Sequence, residues 1–243
     1  MANWFSWLLN ADDAVLLWLN SWRGHWPAFD FAMAQATYML TIKFGVVAAL
    51  LIWLWIAPGE QQGKTRQTIV KAVATGFAAL LLARALALLL PFRLRPFARA
   101  DLGFVVPDGF DAGLRTWSAF PSDHAVMAFA LATGIWCISK RLGVLAYLHA
   151  ACVICLPRIY MGLHHPTDVI GGAFVGIGTW RLLSHWRVSD AISRHALTLQ
   201  AARPYAFYAV AGMTLYETVT MFGGVRRFAA LGFELLHGAV RVS

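Results

Sequence analysis

The feature that most constrains this chain is a succession of apolar stretches, each about as long as a lipid bilayer is thick. A hydrocarbon core of ~30 Å takes roughly 20 helical residues to cross, and in lipid every backbone polar group must be satisfied within the segment. Stretches from about Tyr38 to Ala57, Gln67 to Leu90, Pro121 to Ser139, Leu142 to Arg158 and Thr167 to Ser184 meet or approach that requirement. A sixth, Tyr205 to Phe222, contains Glu217 and reads as a span or as an interfacial helix. Charged residues make up only 13% of the chain and apolar and aromatic ones 59%, against about 25% charged in soluble domains. The chain is therefore not disordered, collagen-like or coiled-coil. An all-α, polytopic membrane helix bundle with about six hydrophobic segments is predicted.

We read one integral membrane domain over residues 1–243, with no internal repeat, linker or low-complexity segment. Residues 1–37 form an interfacial or re-entrant N-terminal segment. Its 12–22 stretch is too short to span, and Trp18, Trp22 and Trp26 suit an aromatic belt. Residues 38–184 form the membrane core. Residues 185–243 add membrane or interfacial segments, including an amphipathic stretch at 225–242. The N-terminus lacks a basic leader region and carries two early aspartates, so no cleavable signal peptide is expected.

The net charge of +8 does not indicate nucleic-acid binding, because the basic residues are dispersed among apolar spans. Instead they orient the bundle. Lys64, Arg66 and Lys71, then Lys140 and Arg141, then Arg187, Arg194 and Arg203 share one side if the spans alternate, and that side is cytoplasmic by the positive-inside rule. The 91–121 and 158–166 loops then face outward. The longer of these mixes Arg93, Arg95, Arg99 and Arg115 with Asp101, Asp108 and Asp111. Lys43, near the outer end of the first span, is expected to snorkel, the alternative being that it faces an anionic substrate. His149, mid-span, is expected to be a hydrogen-bonded core residue. Cys152-x-x-Cys155 lies in an apolar stretch with no second ligand pair and reads as helix packing, not as a metal or redox site. Gly172-x3-Gly176 permits close helix packing.

The outward loops hold the reactive residues, in three segments. In PRIYMGLHHPTDVIGG (157–172), Arg158, His164 and Asp168 follow the spacing R-x5-H-x3-D. Asp168, four residues after His164, can receive its imidazole N–H and leave the other nitrogen as a nucleophile, while Arg158 offers a fork of donors to phosphate oxygens. In AFPSDHAVMAF (119–129), Ser122 is placed to cap a helix whose N-terminus favours an anion, and His124 in the first turn can protonate a leaving oxygen. In LLLPFRLRPFARA (88–100), Arg95 precedes a proline and Arg93 lies two residues before it. Arg84, inside the second span, is either functional or snorkelling. Adjacent histidines point apart on most backbones, so His164 and His165 are not expected to form a metal site.

Together the three segments resemble the tripartite signature K-x6-R-P, P-S-G-H and S-R-x5-H-x3-D of the type 2 phosphatidic acid phosphatase (PAP2) superfamily, over roughly residues 84–172. The resemblance implies a PAP2/haloperoxidase-like core, with His164 as nucleophile, Asp168 as its orienting acid and His124 as proton donor. It also implies that Arg95, Ser122 and Arg158 hold the phosphoryl oxygens, and that no metal or other cofactor is needed. The signature lysine falls on Leu88, for which Arg84 and Arg93 are the candidate substitutes. Asp123 stands where the signature has glycine, and Pro157 where it has serine. A carboxylate beside a phosphate site requires a cation, and Arg93 is the expected partner of Asp123. The P-S-D-H variant is similar to the bacterial undecaprenyl-diphosphatase branch. The substrate implied is an isoprenoid diphosphate at the outer face of the cytoplasmic membrane. Phosphatidate or phosphatidylglycerophosphate hydrolysis, transfer of the phosphoryl group to another acceptor, and lipid transport without hydrolysis are the alternatives.

Overall fold

Three of the helices begin with a proline that lacks the N–H a first turn cannot use: Pro27, Pro166 and Pro204. The computed structural model of the protein describes residues 3–105 and 117–223, with side chains from residue 6. The 225–242 stretch and loop residues Asp108, Asp111 and Arg115 lie outside the described residues. The helices are α1 (Asn3–Asn20), α2 (Pro27–Tyr38), α3 (Val46–Ile56), α4 (Gln62–Leu89), α5 (Asp123–Ile138), α6 (Lys140–His149), α7 (Leu156–Tyr160), α8 (Pro166–Leu183), α9 (Arg187–Ala202) and α10 (Pro204–Val219). A π-helical turn, Thr41–Gly45, leads into α3, and a second, Ala150–Cys155, joins α6 to α7. The fold is all-α, with no strand among the described residues.

At the centre lies α5, where every residue from Ala125 to Ile135 except Phe129 is buried. Its alanines and glycine let α4, α6 and α8 close around it. The α5–α8 seam is tightest. A Cβ on Gly172 would meet the Ser122 carbonyl oxygen at 2.7 Å, and one on Gly176 would meet that of Val126 at 2.3 Å. This close approach brings the N-termini of α5 and α8 side by side.

The outer surface is apolar. Leu81, Leu88 and Leu89 of α4 and Phe174 and Leu182 of α8 are all at least 73% exposed, as expected of a protein solvated by lipid. Two helices are long and apolar enough to cross a bilayer: Gln62–Leu89 and the continuous Lys140–Tyr160. Pro27–Tyr38 and Thr41–Ile56, bent by 73°, make a third if taken as one span. The expected six spans are therefore not all found among the described residues. α5 is apolar but has 16 residues, and it is sheathed by protein. The glycines of α8, with Asp168 and Arg181, dilute its hydropathy.

Further differences from the sequence expectation matter for the site. Lys43 does not snorkel: it is 5% exposed, in the first π-helical turn. Most of the 185–203 segment, with its basic residues Arg187 and Arg194, is helix α9, and Arg203 is its C-cap; the helix is tied to α4 by Lys71 Nζ, which reaches Asp190 at 2.5 Å and the Ser184 carbonyl at 3.1 Å. His149 is hydrogen-bonded as expected, its Nε2–H donating to the Lys43 carbonyl at 2.8 Å.

Gly176→Val is expected to cost about 1–3 kcal/mol, the usual range for overpacking a tight seam. Thermal unfolding in detergent checks this; an unchanged midpoint would contradict the seam.

Candidate active site

Three backbone hydrogen bonds, one for each pair, stitch the motif segments together. Ala119 N–H donates to Arg93 C=O at 2.9 Å, Phe97 N–H to Gly162 C=O at 3.0 Å, and Ser122 N–H to Asp168 C=O at 3.0 Å. Gly162 turns the third segment with φ of +70°, and a Cβ there would strike the Phe104 ring at 2.4 Å. The turn continues as Leu163 N–H bonds to Arg158 C=O at 2.9 Å, which presents His164 beside Arg95.

His164 is 3% exposed. Its Nδ1–H donates to the Ala119 carbonyl at 2.9 Å. A carbonyl only accepts, so the proton sits on Nδ1 and Nε2 keeps its lone pair. Nε2 faces Arg95 Nη1 at 3.4 Å. The expected bond from His164 to Asp168 is not formed, since Nδ1 lies 3.8 Å from Oδ2. A backbone carbonyl fixes the tautomer in its place. Burial above all pushes the His164 pKa down to about 4; the charges of Arg95 and Arg158 add to this, and Asp168 opposes it. The ring is neutral at physiological pH.

Asp168 is fully buried and saturated. Oδ2 accepts from the His165 backbone N–H at 2.7 Å and lies 3.3 Å from His165 Nδ1, while Oδ1 is 2.5 Å from Arg93 Nη1. Arg93 also donates to Thr167 Oγ1 at 2.7 Å and to Asp12 Oδ2 at 2.6 Å. The sequence placed Arg93 among the phosphate ligands, but its guanidinium is taken up by two carboxylates. Asp12 in turn accepts from Thr167 N–H at 2.8 Å and from the Thr167 hydroxyl. Asp12, on the N-terminal helix, is the residue the sequence reading missed. The signal was an acid in the middle of an apolar segment, where an unpaired charge is costly.

Asp123 has a cation, but a different one: Arg84 Nη2, not Arg93, bonds to its carboxylate. The Arg84 guanidinium also lies 5.5 Å from the centre of the Trp117 ring. Arg95 and Arg158, each 7% exposed, pair with no carboxylate among the described residues. Arg95 Nη1 donates to the Leu163 carbonyl at 2.9 Å. The Nε atoms of both arginines and the Ser122 hydroxyl are buried without a partner. Ser122 occupies the N-cap position of α5, yet its side chain makes no capping bond. His124, in the first turn of α5, stands 5.9 Å from the Phe44 ring, centre to centre.

The arrangement joins a neutral, buried imidazole to uncompensated guanidinium groups, an unsatisfied hydroxyl and a helix N-terminus. It is complementary to a tetrahedral oxyanion and suited to phosphoryl transfer. With the apolar exterior, it defines a helical membrane phosphatase. The chain belongs to the PAP2 superfamily, whose family model matches residues 70–191, half of the chain. It is 28% identical over 153 residues to undecaprenyl-diphosphatase BcrC of Bacillus subtilis (strain 168), covering 63% of this chain and 72% of the relative. It is 37% identical over 60 residues to bacitracin transport permease protein BcrC of Bacillus licheniformis, 25% of this chain and 29% of the relative. It is 34% identical over 84 residues to lipid A 4'-phosphatase of Bacteroides thetaiotaomicron, 33% of this chain and 35% of the relative. No solved structure matches the chain significantly.

Asp12→Asn is expected to lower kcat about ten- to hundredfold with KM little changed, because it slackens Arg93 and the start of α8 without touching substrate. Steady-state kinetics check it; a KM effect alone would contradict a positioning role.

Proposed function

We propose that this lipid phosphatase hydrolyses a polyprenyl diphosphate, undecaprenyl diphosphate in particular, to the monophosphate and inorganic phosphate through a phosphohistidine. The observation that carries the reading is the His164 imidazole, with Nδ1 bound to a carbonyl and Nε2 facing Arg95, a cation with no carboxylate partner among the described residues. Nε2 attacks the terminal phosphorus in line. Arg95, Arg158 and Ser122 hold the equatorial oxygens, where charge develops. His124 protonates the departing oxygen and then serves as base for the water that cleaves the phosphohistidine. Asp168, clamped by Arg93, holds the His164–His165 turn. Arg84 neutralises Asp123, so that its carboxylate does not repel the incoming anion.

The likeness to an undecaprenyl-diphosphatase supports the diphosphate. The likeness to a lipid A 4'-phosphatase supports a second reading, a lipid phosphomonoester. We further propose that the chain is one integral domain of the cytoplasmic membrane with its site outward. That orientation rests on the basic residues Lys64, Arg66, Lys140, Arg141 and Arg187, which lie in the first turns of α4, α6 and α9, away from the motif segments.

Phosphate release from undecaprenyl diphosphate in EDTA is expected for the wild type, with a fall of at least about a thousandfold in His164→Ala. Activity that survives the substitution would overturn the nucleophile; a preference for phosphatidate would favour the second reading. The nucleophile must be unprotonated, and burial lowers its pKa to about 4. After correction for substrate ionisation, kcat/KM should hold as pH falls through 6.5 and drop only near 4. An acid limb centred near 6.5 would show a solvated imidazole.

A further inference from the structure

We propose that Lys43, acting with Arg158, forms a second phosphate subsite that takes the leaving-side phosphate of a diphosphate substrate. The inference rests on the reading of the site as a lipid-diphosphate phosphatase and names the residue that sets diphosphate over monophosphate recognition.

Lys43 is 5% exposed, and neither it nor Arg158 has a carboxylate partner among the described residues. The nearby acids are spoken for: Asp12 and Asp168 bind Arg93, and Asp123 binds Arg84. The charge of Arg158 lies near enough to bear on Lys43. Two like charges buried together, without a counter-ion, are strongly disfavoured, so either the lysine gives up its proton or a ligand supplies the anion that keeps it charged.

Backbone geometry brings their segments together. Lys43 lies in one π-helical turn, and Arg158 in α7, the helix that begins where the other turn ends. The two turns are joined by the bond from His149 Nε2 to the Lys43 carbonyl at 2.8 Å. π-Helical turns re-aim side chains and recur at functional sites.

The reaction's stereochemistry then assigns the side. In-line attack by His164 Nε2 puts the leaving group opposite the nucleophile, toward the proton donor His124. Phe44, next to Lys43, packs on the His124 ring at 5.9 Å. The Lys43 turn therefore lines the leaving-group side. In a monoester that position holds an alkoxide oxygen with little charge to bind; in a diphosphate it holds a second phosphate. Lys43 offers it a compact ammonium, and Arg158 bridges the two phosphates.

The test uses binding, so that it is separable from turnover. Titration calorimetry on the detergent-solubilised full chain compares inorganic diphosphate with orthophosphate for wild type, Lys43→Met and Lys43→Arg. Lys43→Met should weaken diphosphate about ten- to hundredfold, the worth of one charge-assisted hydrogen bond. Orthophosphate affinity should move less than about twofold on the same reading. Retained orthophosphate binding also reports a folded site, and Lys43→Arg should restore most of the diphosphate affinity. Equal weakening of both anions, no weakening of either, or no anion binding by the wild type would each overturn the subsite. Failure of the wild type to hydrolyse undecaprenyl diphosphate, with Lys43-dependent diphosphate binding intact, would instead overturn the proposed function and leave the subsite standing.

Discussion

The arrangement of the site depends on one buried ion network. Asp168 is fully buried at the start of α8, where a lone carboxylate would be untenable. Arg93 resolves this from the first motif segment, and Asp12 from α1 balances the second half of the same guanidinium. Because Asp12 also caps the N–H of Thr167, a single cluster fixes the N-terminal helix, the 91–99 loop and α8 relative to one another. A buried network of this kind stabilises little relative to apolar packing, but it is intolerant of a missing member. Its effect is to specify where the site's elements meet.

Packing supplies the complementary constraint. Ion pairs hold the elements together laterally, but the depth at which α8 seats on α5 is set by Gly172 and Gly176 against the α5 backbone. With both helix starts at one level, the Ser122–Asp168 backbone bond closes the site floor. The dense, small-residue α4–α5–α8 core thus places the motif segments at its end, and on the function we propose the start of α5, which has no side-chain cap bond, receives an anion.

Much of this was legible in the sequence, and the portions that were not share a cause. Spacing gave the R-x5-H-x3-D segment, the Ser122 position and the glycine seam, because each is local or follows from helical periodicity, and the resemblance to the PAP2 signature added the need of Asp123 for a cation. The pairing of charges was not legible. Arg84 and Arg93 were both available to Asp123, and only the path of the 90–99 loop decides that Arg93 turns toward Asp168 and Asp12. The partners of Asp12 were hidden for the same reason: Arg93 and Thr167 lie 81 and 155 residues further along the chain, a separation no periodicity encodes. The count of six spans is not confirmed among the described residues, because an apolar run marks a buried helix as readily as a lipid-facing one, and α5 is buried.

The tautomer contact has a chemical consequence. A carboxylate bonded to Nδ1 would stabilise the imidazolium and raise the basicity of the ring. The Ala119 carbonyl orients the ring without contributing a full charge, and Asp168 is held at 3.8 Å with its own charge largely spent on Arg93. His164 is thus a weak base, which on the mechanism we propose suits a nucleophile that must be unprotonated on arrival and must later release its phosphoryl group to water. On the same mechanism much of the rate enhancement falls on Arg95 and Arg158. Arg95 and Arg158 are held buried without carboxylates, so their field is not spent before the substrate binds. The same acids that secure the scaffold are in this way kept out of the phosphate pocket, and the site stays electropositive where charge develops.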